Sequence, residues 1–312
     1  MDSIEEKFSF STQKEGKLLQ LCFSVFLFYN MSEDRDRQRG ILDVLDEHQA
    51  MTGDVYRWTT NPKTHRWKKL QNGMDSYIHP REWVLTNPNY RWSLVYHAGK
   101  KHTDASDIEF YSYNSGNTPS MDKTSYLRIQ LPLSVLRDPK ALVERIRRWC
   151  ALVRPDHGYG GFSFAHSHGY ERGASASYEY IMAQRFPGID MYSEVSHGFQ
   201  LGHRIKGADW LVILSDAFLE RIDGLESVRE RMGALPVLEY PGGAILQAGD
   251  MPQLGDTEQN IPMTEYRQVA AIVEPLRHKN YRGGGAELLA PSPKFDAQSY
   301  TAWLARFSPQ PE

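Results

Sequence analysis

The chain has 312 residues with a formal charge of −3, and 40% of it is hydrophobic against 24% charged. That balance excludes a disordered polymer, and the missing basic excess removes the electrostatic case for nucleic-acid binding. The most apolar run, Leu21–Tyr29, is too short to cross a bilayer, so no membrane partner is expected.

Residues 1–16 read as a loose or edge-strand leader. They carry Glu5 and Glu6 and lack the basic start and small-residue cleavage site of a signal peptide. A cytoplasmic protein is therefore expected. Leu18–Tyr29 is the first core strand, rich in Phe, Val and Leu. Ser32 offers an N-cap for a helix over residues 33–49, whose acidic start suits the helix dipole.

Residues 54–117 change character. Trp58, Trp67, Trp83 and Trp92 stand among Asn-Pro and Gly breaks, and the alternating runs RWSLVYHA and DIEFYSYN predict antiparallel strands. Two or three of these tryptophans are expected in a core, although together they could form a binding patch. Tyr126–Leu131 is another strand. Asp138-Pro139 then starts a helix with Leu142, Ile146, Trp149 and Val153 on one face. Cys22 and Cys150 read as buried, reduced thiols.

In the second half, Gly160-Gly161 are expected to form a turn before a short strand, Phe162–Ala165, with a helix over Ser175–Phe186. Trp210–Leu214 and Ala244–Ala248 have strand length, with helical spacing in Asp216–Ile222 between them. Met263–Pro275 is a helix ended by its proline, Gly283–Gly285 a loop, and Asp296–Phe307 a last short helix. The expected class is α+β, with mixed or antiparallel sheets and packed helices in one compact domain, 1–312. Two related halves, 17–155 and 156–307, are the alternative.

Chemistry is sparse. His166 and His168, near His157 and Glu171, invite a metal, but no zinc-ligand spacing such as HExxH or CxxC accompanies them. Hydrogen-bonded strand-end histidines are the simpler reading, so no metal, cofactor or catalytic residue is assigned. HGYGG, residues 157–161, matches no phosphate loop, and no GxSxG elbow exists. Asp250, Asp256 and Glu258 cluster in a loop; as paired carboxylates they could do acid–base work or hold magnesium, but a solvated acidic loop is simpler. They are nominated as a partner-binding surface, because loops on a rigid scaffold carry recognition.

Three segments carry a family resemblance: GADWLVILSDAFLERIDGL, GGAILQAGDMPQLGD and IPMTEYRQVAAIVEPLR. With Gly207, Trp210-Leu211, Gly242-Gly243, Gln247-Ala248-Gly249, Pro252, Gly255-Asp256 and Pro275-Leu276-Arg277 in this order, the chain resembles the type VI secretion immunity family, TsiV. The resemblance implies a binding protein that neutralises a cognate toxin by blocking its active site or assembly. The toxin would act in the cytosol as a nuclease-type effector, and self-association stays open. An effector-loading chaperone or adaptor, and a metal-dependent hydrolase at the histidine and acid cluster, are the competing classes.

Overall fold

The computed structural model describes residues 2–30, 34–62, 64–70, 80–116, 124–191, 201–279 and 293–309. Helix α1 (Asp2–Lys7) leads into β1 (Ser9–Thr12) and the fourteen-residue β2 (Gly16–Tyr29). The leader is thus helical at its start and then, as its edge-strand reading expected, a short strand beside β2. Phe8 anchors it, donating its N–H to Ile4 and packing edge-on against Phe186. Helix α2 (Arg35–Thr52) is capped by Asp34, whose carboxylate accepts from the Asp36 and Arg37 N–H groups. The expected cap, Ser32, lies outside the described residues.

The Trp-bearing region supplies β3 (Trp58–Thr60), β4 (Trp67–Lys69), α3 (Pro80–Thr86), β5 (Trp92–His97) and β6 (Glu109–Asn114). β7 (Ser125–Leu131) follows, then α4 (Pro139–Val153), which begins as its sequence predicts. Asp138 accepts from the Ala141 N–H, and Leu142, Ile146, Trp149 and Val153 are all buried. Next come β8 (His157–His166), α5 (Ala176–Arg185), β9 (Ile189–Asp190) and β10 (Leu211–Ser215). The chain continues through α6 (Asp216–Glu220), α7 (Gly224–Met232), β11 (Val237–Tyr240), β12 (Gly243–Gln247), α8 (Thr264–Val273) and α9 (Ala297–Leu304). Helix α8 ends at Val273, and the expected stop at Pro275 takes the form of a 3-10 turn, Glu274–Leu276, that closes the helical segment. The Gly283–Gly285 loop lies outside the described residues.

All twelve strands among the described residues belong to one sheet, ordered β11-β12-β10-β8-β2-β7-β6-β5-β3-β4, with β1 beside β2 and β9 beside β8. Every pair is antiparallel except β8 with β9, so the fold is α+β. β2 and β8 pair through ten residues, from Leu19 opposite His166 to Phe28 opposite His157. The strands of residues 17–155 and of 156–307 are therefore joined edge to edge.

Strand β8 corrects the sequence reading of residues 157–161. The chain does not turn at Gly160-Gly161 but runs extended through both. A Cβ on Gly158 would lie 2.3 Å from the Phe26 carbonyl oxygen, and one on Gly161 would lie 2.0 Å from the Asp209 carboxylate. These glycines allow close approach within a strand, the other physical reason for glycine there.

Alternation along β2 divides the interior. Leu19, Leu21, Phe23, Val25, Leu27 and Tyr29 join the main core with α2, α4 and α8. On the opposite face, Phe26 and Phe28 join Tyr126 and Tyr159 in an aromatic cluster, with the Phe26 and Tyr159 rings stacked at 4.8 Å. Cys22 and Cys150 are free, buried thiols. Trp92 alone of the four clustered tryptophans is fully buried, while Trp58, Trp67 and Trp83 are half-buried.

Candidate functional site

The acidic turn follows β12. Ala248 donates its N–H to the Trp210 carbonyl, and the Gly249 carbonyl accepts from Trp210 Nε1 at 2.8 Å and Gln247 Nε2 at 2.9 Å. Gly249 takes φ +86°, a conformation that favours glycine, so the chain turns sharply out of the sheet. Asp250 follows, exposed.

Asp256 has a different task. It is buried, and its Oδ1 accepts from the Glu258 N–H at 3.0 Å and the Gln259 N–H at 3.3 Å. Its Oδ2 accepts from the Arg185 guanidinium at 3.0 Å. The hydrogen bond from Arg185 holds the Asp256 carboxyl below the usual carboxylate range. Arg185 also reaches Glu258 at 2.6 Å, leaving the Glu258 side chain 65% exposed. The three acids nominated from sequence therefore divide. Asp256 shapes the turn, while Asp250 and Glu258 face solvent. Two exposed apolar side chains, Met251 and Ile261, belong to the same stretch of chain.

A second constellation forms on the sheet between β6 and the end of β8. His97 closes β5 directly opposite Glu109, which opens β6. Arg128, from β7, ion-pairs with Glu109 Oε1. His168, two residues beyond β8, places Nε2 2.7 Å from Glu109 Oε2, and His97 Nδ1 lies 2.8 Å from the same oxygen. The Trp67 ring stands edge-on to both imidazoles, at 5.9 Å from His97 and 5.1 Å from His168. Burial alone would raise the Glu109 pKa. The charges of His168 and Arg128, with the histidine hydrogen bonds, outweigh it and hold the carboxyl well below its ordinary value.

His166 does not join its sequence neighbour. It ends β8 and lies 2.6 Å from Glu179 on α5. His157 stacks on Phe28 at 4.9 Å with its Nε2 buried and unpartnered among the described residues, and burial pushes its pKa down to about 3. The side chain of Glu171 lies outside the described residues. The sequence reading missed Glu109 and His97. Their only local signal was position, since each sits at the end of an alternating strand that meets the other across a hairpin.

A third group lies on the far side of β8. Lys206 ion-pairs with Asp190 on β9, and its ammonium sits 4.7 Å from the Tyr159 ring centre. Asp209 accepts from the Trp210 N–H at 2.7 Å through Oδ1, while its Oδ2 is unpartnered among the described residues. Burial, with the Asp190 charge beside it, pushes the Asp209 pKa up to about 8.

No helix among the described residues is long and apolar enough to cross a membrane. A family model, TsiV, described as type VI immunity for VRR-NUC, matches residues 40–307. No curated protein matches the chain. Among solved structures it is similar to the Pseudomonas aeruginosa T6SS protein PA0821. That likeness has a TM-score of 0.83 at 20% identity, over 97% of this chain and 88% of that one, and it is a likeness of fold.

Proposed function

The chain belongs to the TsiV family, type VI immunity for VRR-NUC, and from that premise we propose that it binds a cognate VRR-NUC toxin and neutralises it by occluding its active site or its assembly. The family match over residues 40–307 carries this reading. It acts by binding and not by catalysis. The place of action is the cytosol, where a nuclease meets its substrate, and the buried free thiols Cys22 and Cys150 accord with a reducing compartment.

The acidic turn is the proposed toxin-facing surface. A nuclease must attract phosphates and so offers a basic cleft. Asp250 and Glu258 supply opposite charge at a rim, and exposed Met251 and Ile261 supply apolar contact beside it. Asp256 and Arg185 hold the turn in shape from beneath.

The test is co-expression with a candidate VRR-NUC toxin in cells that the toxin alone kills. Rescue together with a co-purifying complex of fixed stoichiometry is expected. Unchanged killing, or loss of toxin secretion with self-protection intact, overturns the proposal; the second result identifies an effector-loading adaptor instead.

A further inference from the structure

Two histidines and a carboxylate from three separate segments converge on one point. The ligand-capable atoms of His97, Glu109 and His168 all lie within 4.8 Å of one another. Both histidine nitrogens address the same oxygen, Glu109 Oε2, at 2.8 and 2.7 Å. We propose that His97, Glu109 and His168 form a binding site for a divalent transition-metal ion of the zinc class. The inference is independent of the immunity reading and is tested on the isolated chain.

The donor set suits the ion. Neutral imidazole and carboxylate are ordinary zinc ligands, at about 2.0–2.2 Å from the metal. Ligands on a tetrahedral ion at that radius stand roughly 3.3 Å apart. The ion would therefore take the place of the protons shared with Oε2, with each nitrogen drawing back by roughly half an ångström. His168 can make that shift, because it lies beyond the last residue of β8 and its side chain is 22% exposed. The same exposure gives the ion a way in.

The surroundings resemble the outer shell of a metal centre. Arg128 grips Glu109 Oε1, fixing the carboxylate plane and leaving Oε2 to the ion. Trp67 walls both imidazoles and excludes water from that side. His97 is fully buried, and its Nε2 has no partner among the described residues. That burial carries a cost which whatever meets Nδ1 must offset. With the ion in place, the β5–β6 hairpin would be fastened to the chain leaving β8.

The experiment uses the full, tag-free chain, stripped with a chelator and titrated with Co²⁺ under visible absorption and with Zn²⁺ in competition. One ion per chain is expected, with the d–d bands of a low-symmetry site and a melting temperature that rises with free Zn²⁺. His168→Ala should weaken binding by about tenfold or more, whereas His166→Ala, whose imidazole meets Glu179 instead, should leave it unchanged. Circular dichroism confirms that each variant is folded. Absence of stoichiometric Co²⁺ or Zn²⁺ uptake by the unmodified chain, or a folded His168→Ala that binds as tightly, overturns the proposal.

Discussion

Two buried carboxylates, Glu109 on β6 and Asp209 in the loop that leads into β10, have their pKa values pushed in opposite directions. Glu109 is ringed by nitrogen, with Arg128 on one oxygen and His97 and His168 on the other, and its pKa is held well below the ordinary range. Asp209 shares its surroundings with a second acid, Asp190, and receives one backbone N–H; burial pushes its pKa up to about 8. Burial has the same sign at both. What decides the charge is the number of donors aimed at the oxygens.

The strongest way to break this contrast is to neutralise Glu109. Glu109→Gln removes the charge that faces the buried Arg128 guanidinium and should cost about 3–5 kcal/mol in denaturant unfolding. A loss near zero would mean that the nitrogen ring is not what the carboxylate balances.

Gly161→Ala probes the other cluster sterically. The new methyl would meet Asp209 Oδ1 at 2.0 Å, so a loss of about 1–3 kcal/mol is expected. In an Asp209→Ala background most of that loss should vanish. Additive effects in the double-mutant cycle would show that the strain lies elsewhere.

Asp209→Asn should be milder, about 1 kcal/mol or less at neutral pH, because it replaces a neutral acid by a neutral amide. Its signature is the pH profile. With a native pKa of about 8 against an ordinary 3.8, Asp209 contributes fully below the lower value, and the contribution is lost as pH rises through 8. Lys206, lowered by burial to about 8 from 10.5, contributes fully above the higher value and loses that contribution as pH falls through 8, adding no slope below it. Glu109 opposes Asp209: its contribution is present above 4.5 and lost in acid. Asp209→Asn should therefore flatten the decline between about pH 4 and 8 and leave acid unfolding alone. An unchanged profile would refute a protonated Asp209.

His157 calibrates both, as a buried titratable group with no carboxylate partner in the described structure. Its native pKa of about 3 lies below 6.5, so its contribution is full above 6.5 and lost as pH falls toward 3. His157→Phe keeps the stack on Phe28, removes an unpartnered nitrogen and should reduce acid lability. Identical acid midpoints would show that His48, lowered by burial to about 4, dominates instead. The smallest effect is at the rim. Charge reversal of Asp250 and Glu258 should leave stability nearly untouched while slowing toxin association and weakening its salt dependence. Unaltered affinity and on-rate would move the interface away from the turn.

What could be read in advance was local. The apolar runs of β2, β10 and β12 and the Asp138-Pro139 helix start depend on neighbours in sequence, and they stand where expected. The family motifs around Gly249 and Gly255-Asp256 are equally local, because a turn is built from its own residues. Errors came where distant residues decide. The glycines of β8 are small because of Phe26 and Asp209, which no window around them contains. Asp256 is buried because Arg185, 71 residues earlier, reaches it. Glu109 meets His168 across 59 residues, a spacing that no short pattern encodes.

The pairing of β2 with β8 has a consequence for synthesis. The first of these strands is complete at Tyr29, whereas its partner on one whole side begins at His157. At ordinary elongation rates the ribosome needs on the order of ten seconds to make the chain between them. Throughout that interval a long ribbon of Phe, Leu and Val has a bare edge, open to any other nascent strand. Yield in the cell should thus depend on holdase chaperones that shield the emerging amino-terminal segment, and slowing translation should deepen that dependence.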